Sequence, residues 1–355
     1  MSSFDDSRLD DPEALLVADA HLRFLAEAGG RVRVEWDSAR LAVEGLGAEG
    51  RPPEDRPRAV VAVGPDARLI RALLEPVCPV PFMAWPTAGL PGWVGPLDLV
   101  VVLAPERAGA DLVATAREAV RRGAQLVVAC GDTSPLVDHA GGSATTFLTT
   151  RTRDNLATVV VVAAALHRLG LGPRIDPEAV AQALDDVAVT CSPHVDLASN
   201  PGKEFALATA EAQTLLWGGS TLASRASRRV AEALREVTGR PALSADAAAL
   251  LPVIESAASR DVFADPFLDG SSDRPVLVVM DDGVDEAWIR ADRGELLAAA
   301  ERRDVRVVEF GCDEVSGPGG GDLARYASLR QRGMYGAAYL ALGLGRLRPV
   351  SDRSV

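Results

Sequence analysis

97-LDLVVVLAPERAGADLVATAREAVRRGAQLVVACGD-132 carries the fold in its pattern. LDLVVVLA and QLVVACGD are near-continuous apolar runs, as expected of strands covered on both faces, and GADLVATAREAVRRGA between them has helical spacing. A strand–helix–strand unit of this length is a parallel crossover, so the sequence predicts an α/β fold. The loop that opens such a helix commonly holds phosphate, using glycines, hydroxyls and free backbone N–H groups. Here residues 104–111 carry Pro105, Glu106 and Asp111, with one Gly and no Ser or Thr. Two acidic side chains are poor company for a dianion.

Upstream, PRAVVAVG (57–64) reads as another buried strand and RLIRALLEP (68–76) as its helix. Residues 12–29 show helical spacing of Leu and Ala and stop at a Gly pair, and a polar, Pro-rich stretch over 47–58 follows. Downstream, 152–171 is apolar all round and predicts a buried helix, with Asp154 complementing its dipole. A linker and short helix cover 171–188.

The scheme then repeats. QTLLWGGS (213–220) is a strand into a Gly-rich turn, and 221–239 is a helix. ALSADAAALLPVIESA (242–257) reads as helical, RPVLVVMDD (274–282) as a strand, ELLAAAERRD (295–304) as a helix and VRVVEFG (305–311) as a strand. GPGGGD (317–322) reads as a flexible turn, and 322–345 as the last helix. Two α/β halves of similar length suggest an internal duplication.

Composition bounds the function. The 355 residues are 48% hydrophobic and 25% charged, ordinary values for a soluble globular chain with room for two domains. A formal net charge of −13 argues against nucleic acid or an anionic membrane surface as partner. The acidic, polar start MSSFDDSRLDD predicts no signal peptide, and no apolar run is long enough to span a bilayer, so the expected compartment is the cytoplasm. Cys78, Cys130, Cys191 and Cys312 are scattered without a CxxC pair, and no His/Asp/Glu cluster has metal spacing. No metal and no cofactor are therefore expected. The sole lysine is Lys203, so any mechanism needing a lysine must use it.

Several blocks resemble the bifunctional phosphoglucose/phosphomannose isomerases, proteins with two sugar-isomerase (SIS) domains. The run 89–132 matches the family's "LP.WV" segment, its strand, its helix and a second strand ending in Gly. 200-NPGKEFALATAEAQTLLWGGSTLASRASRRVAEALREVTGRPA-242 is similar to the series "NPAK.LA … GS … A.R … ENAK.PA", and YGAAYLALGLG (335–345) to "YLAL..G". The ordered blocks cover most of the chain from about residue 55. The resemblance implies two flavodoxin-like, three-layer αβα SIS domains with parallel sheets in tandem, over 51–172 and 173–355, after an N-terminal extension over 1–50. It also implies a homodimer, a phosphosugar ligand, and aldose–ketose isomerisation of glucose 6-phosphate or mannose 6-phosphate to fructose 6-phosphate through an enediol.

The departures are as informative. The family's "GMGGSAIAG" loop is represented by 64-GPDARLIRA-72, and its "SYSGNTEET" phosphate loop by 104-APERAGAD-111. The "HNE" histidine falls around ALLPVIESA, which has none, and the tail PVSDRSV lacks the family's lysine. Alignment of "ENAK.PA" on 236–242 places Glu236 on the base. That residue is either a proton-transfer carboxylate or a solvated helix-end glutamate beside Arg235 and Arg240.

In the turn 217–229, Gly218 and Gly219 allow close backbone approach, Ser220 and Thr221 offer hydroxyls at a helix N-terminus, and Arg225 lies one turn in. This is either an anion site or an ordinary cap. Thr133 and Ser134 follow a strand at the edge where open α/β sheets bind ligands, and a cap explains them equally well. His194 is either a substitute for the missing ring-opening acid/base or a surface loop histidine, while His167 and Lys203 read as structural. The competing function is a non-catalytic SIS protein that binds a sugar phosphate in regulation or scaffolding. A dinucleotide-dependent oxidoreductase is disfavoured, because VAVGPDARL has one Gly where GxGxxG needs three.

Overall fold

The computed structural model describes residues 4–47, 56–106, 108–257, 274–312 and 321–347. The chain forms two compact units, one of Ala28–Gln182 and one of Met1–Glu27 with Ala183–Val355. Most of the polar stretch 47–58 and of the turn 317–322 lies outside the described residues.

Helix α1 (Pro12–Ala26) starts at a Pro behind the N-cap Asp11, whose carboxylate accepts from Ala14 N. It stops at Glu27, and α2 (Ala28–Glu44) begins at once. The Gly pair expected to end a helix therefore sits in the first turn of the next one. Ala28, Val32, Glu35, Ala39 and Val43 recur at helical spacing and are buried, and this tertiary support outweighs the roughly 1 kcal/mol a helical Gly costs.

The unit Ala28–Gln182 is built on a five-stranded parallel sheet, in the order β2-β1-β3-β4-β5. Its strands are β1 (Val60–Val63), β2 (Phe82–Ala84), β3 (Leu99–Ala104), β4 (Gln125–Cys130) and β5 (Thr145–Thr149). Every residue of β1 and β3 is buried, as their unbroken apolar runs require. Helices α4 (Ala110–Arg121) and α5 (Pro135–Ala140) bury Ala116, Ala119, Leu136 and Ala140 against Val61, Val100, Val102 and Val128. Helix α3 (Ala67–Leu74) crosses from β1 to β2, in the opposite direction to the α4 and α5 crossovers. Right-handed crossovers place it on the other face. It lies there with α6 (Asn155–Arg168), which is buried along most of its length and packs on α2. Asp154 caps α6 by accepting from Leu156 N and Ala157 N.

The second unit repeats the plan with four parallel strands in the order β7-β6-β8-β9. These are β6 (Gln213–Gly218), β7 (Ala242–Ser244), β8 (Pro275–Asp281) and β9 (Arg306–Gly311). The segment read as one helix from residue 242 thus opens with an edge strand, and only Ala247–Glu255 is helical, as α10. Helices α10 and α11 (Ala287–Arg302) bury Leu250, Ile254, Leu296 and Ala300 against Leu215, Trp217, Leu277 and Val279. Helix α9 (Thr221–Thr238) crosses the opposite way and covers the other face, where it meets α12 (Asp322–Gly343). Helix α7 (Pro177–Thr190) and α8 (Pro201–Thr209) precede this sheet. The first four strands of one sheet and the four of the other share one order, as a duplication requires.

Candidate active-site crevice

In the second sheet the chain leaves β6 towards β7 on one side and returns to β8 on the other. Crossovers on opposite faces leave a gap beyond the carboxyl ends of β6 and β8, the place where open α/β sheets bind ligands. A cavity of about 230 Å³ occupies that place, lined by Trp217, Gly219, Ser220, the segment Met280–Asp285, Ile289, Arg290 and Arg293.

The glycine turn is closed by the protein's own chain. A Cβ on Gly218 would lie 2.2 Å from the carbonyl carbon of Ala223, and one on Gly219 would meet Ile289 Cγ2 at 2.4 Å. The close approach these glycines permit is therefore that of the first turn of α9 and of α11, not of a bound anion. Ser220 is the N-cap of α9: its Oγ accepts from Ala223 N at 3.0 Å and donates to Asp282 Oδ2. Thr221 is exposed, and the half-buried Arg225 does not line the cavity.

Asp282 is the group that sequence reasoning missed. It is 5% exposed and accepts from Val284 N at 3.4 Å and from the Ser220 hydroxyl. Burial pushes its carboxyl above the usual range, while the Ser220 and Val284 hydrogen bonds and the Arg325 charge pull it back. The signal was the acidic pair ending RPVLVVMDD, at the carboxyl end of a buried strand beside β6. Its neighbour Asp281 accepts from Arg293 at 3.0 Å, and the same guanidinium reaches Glu309 at 2.8 Å. Arg290 pairs with Asp285.

The other expected residues lie elsewhere. Glu236 is exposed on the last turn of α9. At about 1.5 Å per residue it stands about 24 Å along the helix from Ser220. The expectation that Glu236 and the glycine turn face one pocket is thus corrected, because one straight helix holds them at opposite ends. His194 is exposed between α7 and α8, where its N–H donates to Ser192 Oγ at 3.4 Å. Thr133 is exposed and Ser134 is the N-cap of α5, accepting from Leu136 N; both belong to the other unit. Lys203 is fully buried, its Nζ donating to Asp10 at 2.6 Å and to the Pro193 and Val195 carbonyls at 2.9 and 3.0 Å.

In the first sheet the loops after β1 and β3 begin their helices without side-chain caps. Gly64, at φ 103°, would place a Cβ 2.1 Å from the Leu103 carbonyl oxygen, so it serves the packing of β1 on β3. Helix α3 begins behind Asp66 and α4 behind Gly109, neither with a side-chain cap. Among the described residues no cluster of three or more His, Cys, Asp or Glu is arranged to hold a metal ion. No described helix is long and apolar enough to cross a membrane.

No protein-family model matches the chain, and no curated protein matches it by sequence. Solved structures do match. The chain is similar to the tagatose-6-phosphate ketose/aldose isomerase of Escherichia coli at a TM-score of 0.63 and 15% identity, over 94% of this chain and 96% of that one. The fold is of the SIS type. A hypothetical protein from Thermus thermophilus shares it at a TM-score of 0.58 and 16% identity, over 99% of this chain and 97% of that one. So does the C-terminal domain of a glucosamine-fructose-6-phosphate aminotransferase from Francisella tularensis, at 0.54 and 11%, over 89% and 95%. At these identities the likeness is one of fold.

Proposed function

We propose that this chain is an SIS-superfamily protein that binds a sugar or sugar phosphate without isomerising it, in a regulatory or scaffolding role. The crevice between β6 and β8 is its ligand site. The observation that supports this reading is the separation of the groups: the crevice holds the Ser220–Asp282 pair, while Glu236 and His194 are exposed away from it. A homodimer in the cytoplasm is its proposed setting.

Thermal-shift titration of the purified chain with hexoses and hexose 6-phosphates tests binding, since a ligand that binds only the native state raises the melting temperature. A coupled assay with glucose 6-phosphate and mannose 6-phosphate tests chemistry. The expected result is a raised Tm with no turnover above background; clear turnover would overturn the reading.

A second reading has one observation in its favour. Asp282 is a buried carboxylate with a raised pKa inside the crevice, the kind of group that moves a proton between adjacent carbons. In that case the protein is a phosphosugar isomerase with Asp282 as the base. Turnover abolished by Asp282→Asn and untouched by Glu236→Gln would decide for it.

A further inference from the structure

Residues 4–10 run over the end of α12 as a strap. Asp5 N donates to Gly343 O at 3.0 Å and Arg8 Nε to Leu342 O at 2.9 Å, so the strap takes up two of the last carbonyls of that helix. A Cβ on Gly343 would come within 2.2 Å of the Phe4 ring, and Leu9 is fully buried. Phe4 and Asp6 also wall a cavity of about 490 Å³, together with Pro275, Val276 and Arg306 at the amino ends of β8 and β9.

The strap ends on Asp10, where it meets Lys203. The lysine side chain is fully buried, whereas that of Asp10 is 60% exposed. Lys203 Nζ donates to Asp10 Oδ1 on one side and to the Pro193 and Val195 carbonyls on the other. The rest of that loop is held in the same manner, Ser192 O by Asn200 Nδ2 at 2.8 Å and Cys191 O by the Tyr339 hydroxyl at 2.7 Å.

We infer that residues 4–10 are a latch, and that lifting it opens the loop 191–199 in the same event. A buried ammonium group deprived of its carboxylate is strongly destabilising. With Asp10 withdrawn, Lys203 regains hydration only where the Pro193 and Val195 carbonyls move aside. One nitrogen atom therefore makes strap and loop cooperative. The same movement takes Phe4 and Asp6 away from the cavity and frees the loop that carries the exposed His194.

Lys203 is the sole lysine, so acylation of its amine by an N-hydroxysuccinimide ester, read by mass spectrometry on the full chain, reports the opening directly. Arg8→Ala removes a strap contact without touching the loop or the lysine. It is expected to let Lys203 label about tenfold faster, the span of one hydrogen bond to a charged group. Amide exchange at 194–199 should quicken with it, while exchange in β6 and β8 stays unchanged. Asp10→Asn is expected to raise labelling by about ten- to a hundredfold with the same pattern. Labelling unchanged in either variant, or a Lys203 rate that merely follows exchange in β6 and β8, overturns the latch. Should Asp10→Asn not fold, Arg8→Ala decides alone.

Discussion

A methyl group at position 218 has nowhere to go, because the first turn of α9 is already in contact with the backbone there. Gly218→Ala is therefore expected to lower stability by about 3 kcal/mol, read from the urea midpoint; an unchanged midpoint would mean the turn relaxes freely. Lys203 makes a similar point about a polar residue. Its stem is buried and its ammonium group closes three hydrogen bonds, so Lys203→Met keeps the volume but strands the Pro193 and Val195 carbonyls. The expected loss is again about 3 kcal/mol by denaturant unfolding. Both residues were visible in the sequence as unusual. Their work is packing and chain positioning, which the spacing of neighbours along the chain does not reveal.

Helix α2 holds the end of β5 through one buried side chain. Glu35 accepts from Arg151 N at 2.9 Å and from both Thr152 N and Thr152 Oγ1 at 2.5 Å, just before Asp154 caps α6 and pairs with Arg31 at 2.8 Å. Glu35→Ala leaves these donors without their acceptor and is expected to cost about 2 kcal/mol, with faster amide exchange at residues 151 and 152.

The end of β8 carries a pH signature. Burial raises the folded pKa of Asp282 above its unfolded value, so the folded state holds that proton more tightly. Its contribution to stability is full below the ordinary carboxylate range and is lost as pH rises through the raised value. Unfolding free energies across that window should show a smaller decline for Asp282→Asn than for the unaltered chain; parallel curves would refute the shift. The strands that sequence reading missed share one cause. β2, β7 and β5 are short strands at sheet edges, and a few residues show too little periodicity to be told from a loop.

With a formal net charge of −13, the molecule repels itself at low ionic strength. Its surface ion pairs are individually weak, so screening should relieve more repulsion than it removes attraction. The melting temperature is expected to rise by a few degrees from low to physiological ionic strength; a fall would show that the exposed pairs dominate. The parallel α/β class and the duplication were legible along the chain, because buried strands must be apolar throughout and crossover helices must repeat at a set spacing. Strand order was not, since every strand of a parallel sheet reads alike. That order decides which carboxyl ends adjoin, and it brought Asp282 to Ser220 from far along the chain. The length of α9 likewise carried Glu236 away from the turn beside which it is written. Local pattern depends on which face of an element is buried; a site depends on which elements become neighbours, and that is settled by packing between distant segments.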